Sequence, residues 1–240
     1  MRMGLRASLL QATWNYERQQ GIGWAWALQP ALNRLVADAA LRRPRLAEHT
    51  AFFNTQPTLA SLALGAVARL EEERATGQGP DADTVRRVKS VLGSSLAALG
   101  DRLFWFTLRP FAVCLGLAVT LASGAGVGAL ALWLCYNVLH QPIRMLGVGW
   151  GYRNGPAVLA VLRPRLDGLT GVLGAAGAAV VGVVIALMLI PGGFPRAPGF
   201  QVLFAVGLGF GLLAAQRARP SPTTWALGVG VLAMATIWFR

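Results

Sequence analysis

The chain has 240 residues, 55% of them apolar, with a mean hydropathy of +0.51 and a formal net charge of +12. That apolar share, with several long uncharged runs, excludes an ordinary soluble domain and predicts an all-α integral membrane protein. Every basic residue but Lys89 is Arg, and the arginines flank apolar segments rather than forming a stripe interleaved with aromatics, which argues against nucleic acid and for anionic lipid at a cytoplasmic face.

From the N-terminus, Leu5, Leu9, Ala12 and Tyr16 recur at helical spacing and predict an amphipathic, interfacial helix over residues 5–18. Asn15, Glu17 and Arg18 break the apolar stretch behind Arg2 and Arg6, so no cleavable signal peptide is expected and the N-terminus is assigned to the cytoplasm. Glu17 and Arg18 are expected to bridge to a neighbouring helix or subunit. Gly21 and Gly23 interrupt the helix, Trp24 and Trp26 suit the headgroup level, and Leu28, Leu32 and Leu35 resume an apolar face. Arg42-Arg-Pro-Arg45 reads as a solvated basic turn.

Pro57 fits the first turn of a further helix, with Asn54 or Thr55 as its cap. That helix is apolar from Leu59 to Leu70 and ends in Glu71-Glu-Glu-Arg74, before a Gly77-Gln-Gly-Pro80 loop. Asp81 or Asp83 caps the next helix, whose face carries Val85, Val88, Leu92, Leu96 and Leu99, with Arg86, Arg87 and Lys89 off it. Two helices of similar length joined by a short loop run antiparallel. From Pro57 to Glu72 the first spans about 22 Å at the α-helical rise. No small ligand can touch Asn54 and the Glu triplet together, but the returning helix brings Gly100-Asp101 back to the Asn54–Gln56 corner. A polar site is expected there, at the membrane edge.

Nine of the ten acidic residues lie at or before Asp101, and only Asp167 follows. The chain accordingly divides into a membrane-edge region, 1–110, and a transmembrane region, 111–240. Residues 111–139 carry no charge, and Ser123-Gly-Ala-Gly-Val-Gly128 interrupts them, giving either one long span or a broken hairpin. The hairpin is preferred, because it returns a basic loop at 144–165 to the cytoplasmic side. Glycine-rich spans are expected near 169–190, 199–215 and 225–239, with a turn at Pro191–Pro195 and the C-terminus outside. Cys114 and Cys135 sit in one apolar run and read as small hydrophobes, since neither CxxC nor Cys/His metal spacing is present.

Leu10-Gln-Ala-Thr-Trp-Asn-Tyr-Glu-Arg18, Phe52-Phe-Asn-Thr-Gln-Pro57, Leu70-Glu-Glu-Glu-Arg74, Gly100-Asp101 with Leu103-Phe-Trp105, and Thr107-Leu-Arg-Pro110 occur in this order. Together they resemble the IID component of the mannose/fructose/sorbose-type sugar phosphotransferase system. Gly149-Trp-Gly-Tyr-Arg-Asn-Gly155 is similar to a further stretch of that family. The resemblance implies a membrane subunit that pairs with a IIC partner, in a higher oligomer, to translocate a hexose. Phosphorylation falls to cytoplasmic IIB, itself charged by IIA, so neither an enzyme activity nor a cofactor is implied for this chain. Three positions depart from the family pattern: Gln56 where His is usual, Arg102 where a small residue or Pro is usual, and Phe106 where Gly is usual.

On this resemblance Asn54, Thr55, Gln56 and Asp101 are the candidate sugar ligands. The competing readings are a helix cap for Asn54 and Thr55, and an ion pair with Arg102 or Arg109 for Asp101. Trp105 is either a stacking platform or an interfacial anchor. Glu71 and Glu72 either receive a cytoplasmic partner or form, with Glu73, a solvated helix end. His49 and His140 read as loop or interface residues rather than bases. The alternative function is a IID-like membrane scaffold or regulatory subunit without transport, and a lipid-processing enzyme would need a catalytic pair that the sequence does not offer.

Overall fold

The computed structural model describes residues 2–77 and 79–189, and the helices within them number eight. They are α1 (Arg2–Ala7), α2 (Gly21–Leu35), α3 (Ala39–Glu48), α4 (Ala60–Ala75), α5 (Ala82–Gly100), α6 (Arg109–Ser123), α7 (Ala125–Asn154) and α8 (Val158–Leu189). A π-helical stretch, Asp101–Leu108, joins α5 to α6 without a break, and a 3-10 turn, Gly155–Ala157, separates α7 from α8. No β-strand occurs among the described residues beyond two isolated bridges. The chain divides into two compact units between Gly174 and Ala175, inside α8; the account that follows concerns the first. The spans expected at 199–215 and 225–239, and the turn at Pro191–Pro195, lie outside the described residues.

α4 is the centre of this first unit. Its residues Ala60 to Ala68 are buried all round, as expected of a helix apolar on every face, and α2, α5 and α7 pack against it. Against α7 the approach is backbone to backbone. A methyl group on Gly65 would collide with the Val148 carbonyl, and one on Gly151 with the Leu62 carbonyl. Gly147 and Gly151 thus form a small-xxx-small seam against Ser61 and Gly65, whose spacing is the same. Ser61 Oγ donates across the seam to the Ile143 carbonyl at 3.2 Å.

The predicted antiparallel pair forms. The Asp81 carboxylate accepts from the Thr84 N–H at 2.8 Å and starts α5, which returns along α4. The uncharged run 111–139 folds back at Gly124, whose φ of +99° favours glycine, so that α6 and the first half of α7 lie side by side. Gly116 packs on Leu132, and Gly128 on Thr120 and the Gly116 carbonyl. Two continuous helical paths, Ala82–Ser123 and Ala125–Val184, are long and apolar enough to cross a membrane.

Several expectations change. The helix over 5–18 stops at Ala7, because Asn15 Oδ1 takes the Arg18 N–H at 2.8 Å and turns the chain toward a bridge between Asn15 and Gln19. Glu17 and Arg18 accordingly pair with each other at 3.6 Å on the surface. Gly21 opens α2 instead of interrupting a helix, and Trp24 is fully buried under Phe53, with Trp26 alone of the two exposed. Arg42–Arg45 is helical, with Asp38 capping α3 through the Ala40 N–H at 2.8 Å. The basic loop at 144–165 is helix interrupted only at Gly155. Of its arginines, Arg144 donates to the Ala7 and Ser8 carbonyls, while Arg153, Arg163 and Arg165 are exposed on the helices.

Candidate functional site

The segment from Phe53 to Thr58 is tied by backbone bonds of Phe53 to Arg18 and Gln20 and of Gln56 to Leu59 and Ala60, and between these it is held by side chains. Gln20, fully buried, clamps Thr55 twice: its Nε2 donates to the Thr55 carbonyl at 2.7 Å, and its Oε1 accepts the Thr55 N–H at 3.1 Å. A side-chain amide here replaces a neighbouring strand. Gln56 then does the capping expected of Asn54 or Thr55. Its Oε1 accepts from the Thr58 N–H at 2.7 Å and the Leu59 N–H at 3.1 Å, while its Nε2 donates to Thr58 Oγ1. Pro57 has no N–H to offer, so Gln56 takes the next two donors, in the turn that leads into α4. Two polar groups remain. The exposed Asn54 amide has no hydrogen-bond partner among the described residues, and the buried Thr55 hydroxyl has none either.

Across this segment runs the glycine face of α5. Phe53 and the Asn54 carbonyl lie against Gly93, and Gln56 and Leu59 lie against Gly100. The amide-bearing corner and the Gly100-Asp101 corner are therefore brought together, as the hairpin geometry predicts. Asp101 opens the π-helical stretch, in which the Arg109 N–H bonds back to the Phe104 carbonyl and Thr107 Oγ1 to the Arg102 carbonyl. Such turns are rare and concentrate at functional positions. The expected neutralising pairs of Asp101 do not form. Arg102 reaches Asp167, which Arg163 also approaches at 3.7 Å, and the Arg109 guanidinium lies 5.0 Å over the Trp105 ring. Among the described residues the half-buried Asp101 carboxylate has neither an ion pair nor a hydrogen bond.

At the other end of α4 is a separate polar cluster. Glu71 is fully buried, contrary to a solvated helix end, and faces His49 at 3.3 Å, Arg74 at 3.3 Å and Arg45 at 3.6 Å. Burial alone would raise its carboxyl, but the His49 hydrogen bond and the charges of His49, Arg74 and Arg45 prevail and hold it below its ordinary 4.5. Arg74 also pairs with Glu48 at 2.7 Å. Glu71 is consumed inside the fold and presents nothing to a partner. Glu72 accepts from the Tyr152 hydroxyl of α7, and Glu73 pairs with Arg69 at 3.0 Å. Lys89 belongs to the buried face of α5, where its Nζ donates to the His49 carbonyl at 2.9 Å; its spacing from Val85 and Leu92 was the signal for that. No sequence signal marks Gln20, whose partner is remote in the chain. His140 stacks on Tyr136 at 5.1 Å, and His49 is a buried ligand of Glu71.

The arrangement at Asn54, Thr55 and Asp101 has neutral amide, hydroxyl and carboxylate groups and no nucleophile–base pair. No group of three metal-ligating side chains occurs among the described residues. Amide, hydroxyl and carboxylate groups of this kind can each hydrogen-bond a hydroxyl group.

A family model described as PTS system mannose/fructose/sorbose family IID component matches residues 1–190. The chain belongs to the IID family. Among curated IID chains it is 37% identical over 152 residues to the mannose-specific EIID component of Escherichia coli K12, a match covering 63% of this chain and 53% of that one. To the sorbose-specific EIID component of Klebsiella pneumoniae it is 33% identical, over 76% of this chain and 67% of the relative. To the fructose permease IID component of Bacillus subtilis it is 31% identical, over 77% and 67%. The match thus spans about half the length of the mannose-specific relative. The fold is similar to a chain of the mannose transporter ManYZ solved with microcin E492, with a TM-score of 0.61 and 27% identity over 98% of this chain and 93% of that one. A second solved membrane protein gives a TM-score of 0.69 at 27% identity, over 97% and 93%. This IID chain is an all-α membrane protein, as its sequence implies.

Proposed function

We propose that this IID chain works in the bacterial cytoplasmic membrane, paired with a IIC subunit in a higher oligomer, to translocate a hexose that IIB, charged by IIA, phosphorylates at the cytoplasmic face. Its N-terminus is cytoplasmic, residues 1–110 form the membrane-edge part, and residues 111–240 form the transmembrane part. The Asn54–Gln56 corner and Asp101 line the sugar path, with Asn54, Thr55 and Asp101 as hydrogen-bonding groups and Gln56 holding their backbone. The observation that carries this reading is the unpaired Asp101 carboxylate opening a π-helical stretch beside Gln56. A membrane-edge acid left without a cation is costly and marks function. Support also comes from the mannose, sorbose and fructose specificities in the names of the relatives.

The test is radiolabelled hexose uptake in cells expressing the full chain with its IIC and IIB partners. Asp101→Asn and Asn54→Ala are expected to lower uptake at least tenfold while the IIC–IID complex still co-purifies. Wild-type uptake in both variants would remove the site. Absence of hexose uptake by the wild-type chain, with its partners still co-purifying, would favour the scaffold reading.

A further inference from the structure

Between the start of α6 and the middle of α7 lies an open groove of about 460 Å³. The antiparallel pairing fixes its polarity. Gly116 is level with Leu132, so Arg109 and Trp105 lie at the same end as Tyr136 and Asn137, away from the Gly124 turn. That end is polar. Arg109 rests on the Trp105 ring, and no carboxylate pairs with it among the described residues, whereas its neighbour Arg102 is matched by Asp167. The Tyr136 hydroxyl has no hydrogen-bond partner among those residues either. Asn137 is already used, its Nδ2 bonding the Trp133 carbonyl and its Oδ1 accepting from Gln141. Toward the turn the lining is Val113, Leu132 and Trp133, all substantially exposed.

We infer that this groove holds one anionic phospholipid, its phosphate at Arg109 and the Tyr136 hydroxyl and an acyl chain along Val113, Leu132 and Trp133. The argument is complementarity in charge and in order. A cation without a protein counter-ion sits beside a free hydroxyl at one end, and an uncharged apolar channel continues from it in the direction of the turn. A free sugar or free phosphate satisfies only the first half; an amphiphile satisfies both. Trp105 and Tyr136, at the polar end, are ring types that settle at headgroup level, and basic pockets between membrane helices suit lipid phosphate. A guanidinium is also the better cation here, since its planar fork binds phosphate through two donors at once.

Native mass spectrometry of the full chain, purified in mild detergent with its co-expressed partner and titrated with phosphatidylglycerol or phosphatidylcholine, reads this directly. The wild type is expected to retain one phosphatidylglycerol at least tenfold more tightly than phosphatidylcholine. Arg109→Gln should abolish that preference, and Val113→Trp, which fills the apolar half at an exposed position, should weaken both lipids. Arg86→Gln, an equal loss of charge on the surface of α5, should change neither. Soluble glycerol phosphate at the same concentration should not compete. Unchanged phosphatidylglycerol retention in both Arg109→Gln and Val113→Trp overturns the inference. So does displacement by glycerol phosphate, which would make the groove an anion site, or a photo-cross-linker at Trp133 that captures the partner subunit and no lipid, which would make it an interface. Sugar uptake is not read in any arm, so the outcome is independent of the transport proposal.

Discussion

Glu71 shows how much one side chain can depend on sequence-distant company. The first acid of Glu71-Glu-Glu turns inward and its two neighbours do not, because His49 and Arg45 of α3 and Arg74 of its own helix are there to receive it. Removing one partner of a buried ionic group is costly, so Glu71→Gln is expected to destabilise the chain by about 3 kcal/mol, read as a lowered Tm in detergent. The sign of the pH dependence follows from the lowered carboxyl. Its contribution is complete above the ordinary value of 4.5 and is lost as pH falls through the lower folded-state value. The wild type should therefore lose stability below about pH 4.5 more steeply than the Gln variant. Equal acid slopes for the two would show that Glu71 titrates alike folded and unfolded. None of this is legible in the triplet itself: a run of three glutamates reads as solvated until α3 is known to lie over it.

At the scale of elements the α4–α5 hairpin was the most readable feature, and its legibility has a physical basis. Asp81 caps α5 locally, and the 3.6-residue apolar period sets which side returns. Lys89 was misassigned on its charge and against its period, because the buried face of α5 runs through Val85, Lys89, Leu92, Leu96 and Gly100 and follows close backbone approach as much as hydrophobicity. Gly100 states that approach in numbers. A Cβ there would lie 2.5 Å from the Gln56 Cβ, so Gly100→Ala must push the capping segment away. A loss of about 1–3 kcal/mol is expected. Gly126→Ala, a helical position with open space around it, should instead be neutral or stabilise by up to about 1 kcal/mol. Thermal melts of the two variants check this; similar shifts would mean that the α5 contact is loose. The π-helical stretch was invisible in advance, because Asp-Arg-Leu-Phe-Trp-Phe contains no breaker and would sit equally well in a regular helix.

At the scale of the whole first unit, an ion pair ties the π-helical stretch to α8. Asp167 of α8, the last acid of the chain, takes Arg102 from the π-helical stretch and Arg163 from its own helix. That pairing explains how the Arg at position 102 is used without neutralising Asp101. Both groups are partly exposed, so the pair should be worth no more than about 1 kcal/mol. Arg102→Asp and Asp167→Arg should each lower the Tm, and the charge-swapped double variant should recover most of the loss; additive losses would mean that the two side chains do not meet. The site was legible to the extent that it depended on hairpin geometry, and illegible where Gln20 reaches in from far along the chain.

The widened turns from Asp101 to Leu108 act like an extra tooth on a gear. α5 and α6 share one rod, yet the teeth beyond are offset from those before. Deleting one residue there would leave a more regular helix and rotate everything after it by about 100°. The α6–α7 pair would turn as one body, so Gly147 would swing off Ser61 and Gly151 off Leu62, and a better helix would undo the seam on α4. The exposed Phe106 can change its identity at little cost, but a gap of a single residue beside it cannot be absorbed.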